Sequence, residues 1–138
     1  MREILFRGKP KGKNEWIKGN LLFYPDVNRA YMSLGVFKGG TFLEVQKDTV
    51  GQYTGLTDKN GKKIFEGDIV KKSWTSTYNV GNQRRSQINT FIGQIVFKSG
   101  SYRMKEQGEF IGTSHNGEWL EVIGNIHDNP ELLEEGAE

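Results

Sequence analysis

A chain of 138 residues is long enough for one compact domain that buries roughly 68% of the surface its unfolded form exposes. At 35% hydrophobic, 26% charged and 12% aromatic, it is polar but too aromatic to stay unfolded. It has no cysteine, which excludes disulfides and thiolate metal sites, and no apolar run near the roughly 20 residues a membrane span needs. Arg2 and Glu3 are not followed by the apolar stretch of a signal peptide, so a cytoplasmic protein is expected.

The net charge of +2 conceals an uneven distribution: residues 1–72 carry 14 Lys/Arg against 8 Asp/Glu, and residues 73–138 carry 5 against 9. Such asymmetry marks an anionic partner or, equally, two complementary faces of one folded unit.

In chain order, residues 3–7 read as a short strand with Ile4 and Phe6 on one face, followed by a cationic turn over 8–13. Residues 15–24 read as a strand with a glycine bend, ended by Pro25-Asp26. Residues 31–37 and 41–45 flank Gly39-Gly40 as a hairpin. Residues 53–56 and 63–65 flank Asp58-Lys59-Asn60-Gly61, where Gly61 is expected in the left-handed region. Gly67-Asp68 turns the chain again, into Ile69-Val70.

The stretch 73–87, SWTSTYNVGNQRRSQ, shows no period of 2 or 3.6 and is expected to be a flexible polar loop, long enough to be functional if it is ordered. Residues 92–98 and 101–105 flank Ser99-Gly100 as a further hairpin. Phe110-Ile111 and residues 118–126 flank His115-Asn116-Gly117 as another. At the C-terminus, Asn129 as cap, Pro130 at the first helical position and Glu131 at the positive end of the dipole predict a short helix closed by Gly136, with Leu132 and Leu133 packed down. The expected fold is mainly β, with short antiparallel strands in a small barrel or sandwich (an SH3-like barrel portion included) and one short C-terminal helix.

The glycine-rich stretch after Val50 resembles several chemical motifs and fits none. A phosphate loop separates its glycines by four residues and places Ser or Thr after Gly-Lys; here five residues separate Gly55 from Gly61, and Lys63 replaces the hydroxyl. A calcium loop aligned on Asp58, Asn60 and Gly61 would have Leu56 at its first position and Gly67 at its twelfth, and neither ligates through a side chain. Glu66 and Asp68 share a strand face by spacing, but an Asp after Gly commonly accepts backbone amides in the turn. His115 and His127 lie in or beside turns. No catalytic, cofactor-binding or metal-binding residue is therefore expected, and the stretch reads as a structural hairpin.

The string QYTGLTDKNGKKIFEGDIV over residues 52–70 resembles the signature of the YopX-like proteins, encoded mainly by bacteriophages and prophages of Gram-positive bacteria. REILFR at 2–7 resembles that family's first strand, GQIVF at 93–97 its late strand, and EVIGNIHDNPELL at 121–133 its ending. The resemblance covers about half the chain in the right order. It implies phage origin, a β-rich fold and a product of the infected cell's cytoplasm, and it carries no activity with it.

Two functional expectations remain. The first is a non-enzymatic module that binds an unknown phage or host protein or assembles with itself, since exposed strand edges pair between chains. The second is a single-stranded nucleic-acid-binding module using Lys71, Lys72, Trp74, Tyr78, Arg84 and Arg85, cations and aromatics on one segment. The plain alternative for those six is a solvated loop with Trp74 turned inward.

Overall fold

The computed structural model describes residues 2–33, 42–105, 109–110 and 120–136. The chain divides into two compact units, Met1–Gly55 and Leu56–Glu138, within the length that reads as one domain. The fold is mainly β, with every described strand pairing antiparallel, and α1 (Glu131–Gly136) is the only α-helix among the described residues.

In the first unit, β1 (Phe6–Gly8) lies between β2 (Ile17–Tyr24) and β5 (Gly51–Thr57). β2 continues outward to β3 (Arg29–Ser33) and then β4 (Phe42–Val45). β3 starts two residues before the expected position because Asn28 takes a positive φ of 53° and ends the turn from Pro25 there. The Gly39-Gly40 turn lies outside the described residues. Ala30, Met32 and Val45 form the core of this unit, with Phe6, Ile17, Leu21 and Val50 packed around them. The ring of Trp16 lies 4.7 Å from the Arg7 guanidinium carbon and 5.1 Å from Lys9 Nζ, cation–π contacts that accommodate two largely buried cations.

The second unit opens with the hairpin read from the sequence. β5 ends at Thr57, Gly61 takes φ 82°, and β6 (Lys63–Phe65) returns. Asp68 is buried and accepts the Phe65 N–H at 2.7 Å, the backbone role expected of an Asp after Gly67.

From there β7 (Asp68–Val80) and β8 (Gln83–Lys98) pair over their length. β9 (Ser101–Met104) joins β8 across Ser99-Gly100, and β10 (Glu109–Phe110) joins β9. β11 (Leu120–Asn125) covers the other edge of β7 as far as Lys72. The turn at His115-Asn116-Gly117 lies outside the described residues. Ile64, Val70, Ile95, Met104 and Leu120 form the core, and Leu56, Phe91, Tyr102 and Val122 pack against it.

Helix α1 sits where the cap residues place it, but Asn129 works differently from expectation: its Oδ1 accepts the Asn125 N–H at 3.3 Å. Leu132 packs down on Gly124, where a β-carbon would come within 2.9 Å of Leu132 Cδ1 and 2.6 Å of Asn129 Oδ1.

The largest correction concerns residues 73–87. They form the outer half of the β7–β8 hairpin, where a loop was expected, with Val80 opposite Gln83. Gly81 takes φ 60° in the two-residue turn Gly81-Asn82, the glycine-first pattern of a type II′ reversal. Trp, Tyr, Val and Thr favour extended backbone. The amphipathic period is missing because both faces of this stretch are exposed.

Candidate binding arm

β7 has no described neighbour on its outer side beyond Lys72, and β8 has none before Gln94, where Lys105 N–H donates to the Gln94 carbonyl at 2.8 Å. Residues 73–80 and 83–91 thus extend from the sheet as a two-stranded arm. Side chains alternate between its faces, and cross-strand partners share a face.

One face continues the line of the core residue Val70 through Lys72, Trp74, Ser76, Tyr78 and Val80, opposite Phe91, Asn89, Gln87, Arg85 and Gln83. The other continues from Lys71 through Ser73, Thr75, Thr77 and Asn79, opposite Ile92, Thr90, Ile88, Ser86 and Arg84.

The six candidate residues therefore divide. Lys72, Trp74, Tyr78 and Arg85 share the core-side face, while Lys71 and Arg84 lie on the opposite one. Trp74 is 37% exposed, with Lys72 Nζ 5.8 Å from its ring centroid, so it is not turned inward as in a collapsed loop. Tyr78 and Arg85 are cross-strand partners, and Arg85 Nη2 also donates to Gln83 Oε1 at 3.1 Å. Lys71 has Glu121 as its cross-strand neighbour on β11, which offsets its charge; Glu121 in turn pairs with Lys59 at 3.0 Å. Between that ion pair and the arm lies a cleft of about 280 Å³ lined by Lys71, Ser73, Trp74, Thr75 and Ile88.

A second cluster escaped the sequence reading. On β8 and β9, Phe97 is 54% exposed and meets Tyr102 edge-on, with centroids 5.0 Å apart. Lys98, Arg103 and Lys105 line a cleft of about 260 Å³ beside it. A sequence signal for it exists: residues 69–105 contain seven Lys/Arg and no Asp or Glu. The run straddles residue 72, so the net charges of residues 1–72 and 73–138 conceal it.

Among the described residues, no group of three or more His, Asp or Glu is placed to hold a metal ion, and no helix is long and apolar enough to cross a membrane. The carboxyl of Asp58 is held below its ordinary pKa. Burial alone would raise it, but N–H bonds from Val122, Lys62 and Asn60, together with the Lys62 charge, outweigh burial. This serves to fix the hairpin. The resemblance signature at 52–70 thus marks backbone turns and core positions, and the exposed arm begins where that signature ends.

The chain is similar to a crystal structure of protein EF1440 from Enterococcus faecalis, at 26% identity and a TM-score of 0.53 over 96% of this chain and 99% of that one. No curated protein matches it. The family model described as YopX protein matches residues 5–134, nearly the whole length, and includes the hairpin, the arm and the start of the closing helix. The chain belongs to the YopX protein family.

Proposed function

We propose that this chain is a non-enzymatic accessory protein of phage or prophage origin, acting in the host cytoplasm, whose contact element is the β7–β8 arm and whose partner is nucleic acid. The observation that carries this reading is the acid-free run: residues 69–105 hold seven Lys/Arg and no carboxylate, and they make up the arm and the hairpin beside it. A phosphate backbone approaching this surface meets the cations of the run, with Glu121 of β11 the neighbouring carboxylate at Lys71. The acid-free run on the arm favours nucleic acid over the protein partner that is the first expectation. Phage origin rests on the family resemblance.

The test is fluorescence anisotropy of labelled DNA and RNA oligonucleotides at low salt, repeated with Arg84→Ala plus Arg85→Ala. Binding that weakens with salt and with the double change supports the reading. Absence of binding to every oligonucleotide refutes it.

A second reading is favoured by the edges of the arm, which pair with no strand among the described residues. Each presents backbone donors and acceptors to which a strand of a phage or host protein, or of another copy of this chain, can add. Solution mass measured across a concentration series distinguishes self-assembly from a monomer.

A further inference from the structure

The two faces of the arm differ in a way that specifies the form of nucleic acid. The core-side face is bulky, with Trp74, Tyr78 and Val80 along one strand. Its polar groups are already bonded to one another: Gln87 Nε2 donates to Asn89 Oδ1 at 3.2 Å, Asn89 Nδ2 to Ser76 Oγ at 2.9 Å, and Arg85 to Gln83.

The opposite face is low in profile. Thr75 stands across from Ile88, Thr77 from Ser86 and Asn79 from Arg84, all exposed, with Ile88 at 74%. None of the polar side chains among these six is bonded to another described side chain.

The same face carries the charge. Because Arg103 opposes Val96 on β8, the alternation places Lys98, Arg103 and Lys105 on the face of Arg84. Cations thus stand at the tip and at the root, with uncommitted hydroxyl, amide and methyl groups between them. Helix α1 lies on this same face, against β8 and over Gly124 of β11, so it covers part of the root beside the arm.

We infer that this face of the β7–β8 arm enters the major groove of double-stranded DNA. The inference rests on the nucleic-acid reading above and narrows it. A two-stranded ribbon fits the major groove, roughly 12 Å wide and 8.5 Å deep. Residues 73–80 extend roughly 26 Å at about 3.3 Å each, most of one helical turn. Asn79 suits the N6/N7 edge of adenine, Arg84 the O6/N7 edge of guanine, and Ile88 and the Thr75 methyl the thymine methyl. Lys98 and Arg103 lie outside the groove against phosphates. The deep, narrow major groove of A-form RNA excludes such a ribbon.

The experiment compares one labelled 20-base-pair DNA duplex, its single strand and the same duplex as RNA, by anisotropy across a salt series. The proteins are wild type, Thr77→Glu, Arg84→Ala and Trp74→Ala, each checked for native circular dichroism. The expected result is duplex DNA bound at least tenfold tighter than the other two. Thr77→Glu should weaken it at least tenfold and Trp74→Ala by less than threefold. The log–log salt slope should be about −2 for the two phosphate contacts of Lys98 and Arg103, and Arg84→Ala should leave it unchanged because Arg84 reads a base; a slope shallower by about one in that variant overturns the base contact.

Single strands binding as tightly as duplex, or Trp74→Ala weakening binding more than Thr77→Glu, overturns the groove assignment and leaves the broader reading intact. Binding to no nucleic acid overturns both. If Thr77→Glu lacks native circular dichroism, Asn79→Ala replaces it, with at least a threefold loss on duplex DNA expected and an unchanged affinity overturning the inference.

Discussion

Asp58 Oδ2 accepts the backbone N–H of Val122 at 2.9 Å, across 64 residues of sequence. Its other oxygen accepts Asn60 and Lys62 N–H groups, both at 2.9 Å, so one buried carboxylate closes the β5–β6 turn and fastens it to β11. Lys59 strengthens the same junction through its N–H bond to the Leu120 carbonyl at 2.9 Å. Asp58→Ala leaves three amides without this acceptor and should destabilise the second unit by about 2–4 kcal/mol, measured by urea denaturation. A loss below about 1 kcal/mol would show that water replaces the carboxylate freely.

The same group makes stability depend on pH. Its folded pKa lies below the ordinary 3.8, so its contribution is fully present above that value and is lost as pH falls through the lower, folded one. Wild type should lose stability below about pH 4 more steeply than Asp58→Asn. Parallel pH profiles for the two would remove Asp58 from this role.

Gly61→Val forces a β-branched residue to φ 82° and should cost more than about 1 kcal/mol. Lys62→Ala, at an exposed neighbour, should cost within about 0.5 kcal/mol. Equal losses would contradict the turn geometry.

Gly124→Ala directs a methyl at Asn129 Oδ1 and Leu132 Cδ1, both within 3 Å of the new carbon. We expect a loss of about 1–3 kcal/mol, accompanied by faster amide exchange in α1. Wild-type exchange in α1 would mean that the helix moves aside without penalty.

The turns were legible because each carries its own chemistry: Asn60-Gly61 and Ser99-Gly100 supply residues that tolerate positive φ, and both reverse the chain as read. The C-terminal helix was equally local, marked by Pro130 and Glu131. The arm was not legible, because a strand is recognised by burial on alternate residues and residues 74–87 are exposed on both faces. Its signals were the Gly81-Asn82 dipeptide and the β-favouring Trp74, Thr75, Thr77 and Tyr78. The candidate site was legible residue by residue but not in its geometry. Only strand pairing reveals that Arg84 and Arg85 belong to opposite faces.

Amide exchange should also map the arm itself. Among the described residues, 75–79 and 84–88 have one partner strand and no core beneath them, so they should exchange far faster than Val70 and Ile95. Equal protection would require a cover on the arm in solution.

The spacing of the Asp58–Val122 contact bears on how the second unit forms. β7, β8 and β9 are joined by two-residue reversals, so their pairing closes short loops and zips within microseconds. β11 has to find β7 from about 50 residues away and Asp58 from 64, a far rarer encounter. The meander therefore forms first and β11 docks last. Substitutions at Asp58 should speed unfolding and leave the refolding rate almost unchanged.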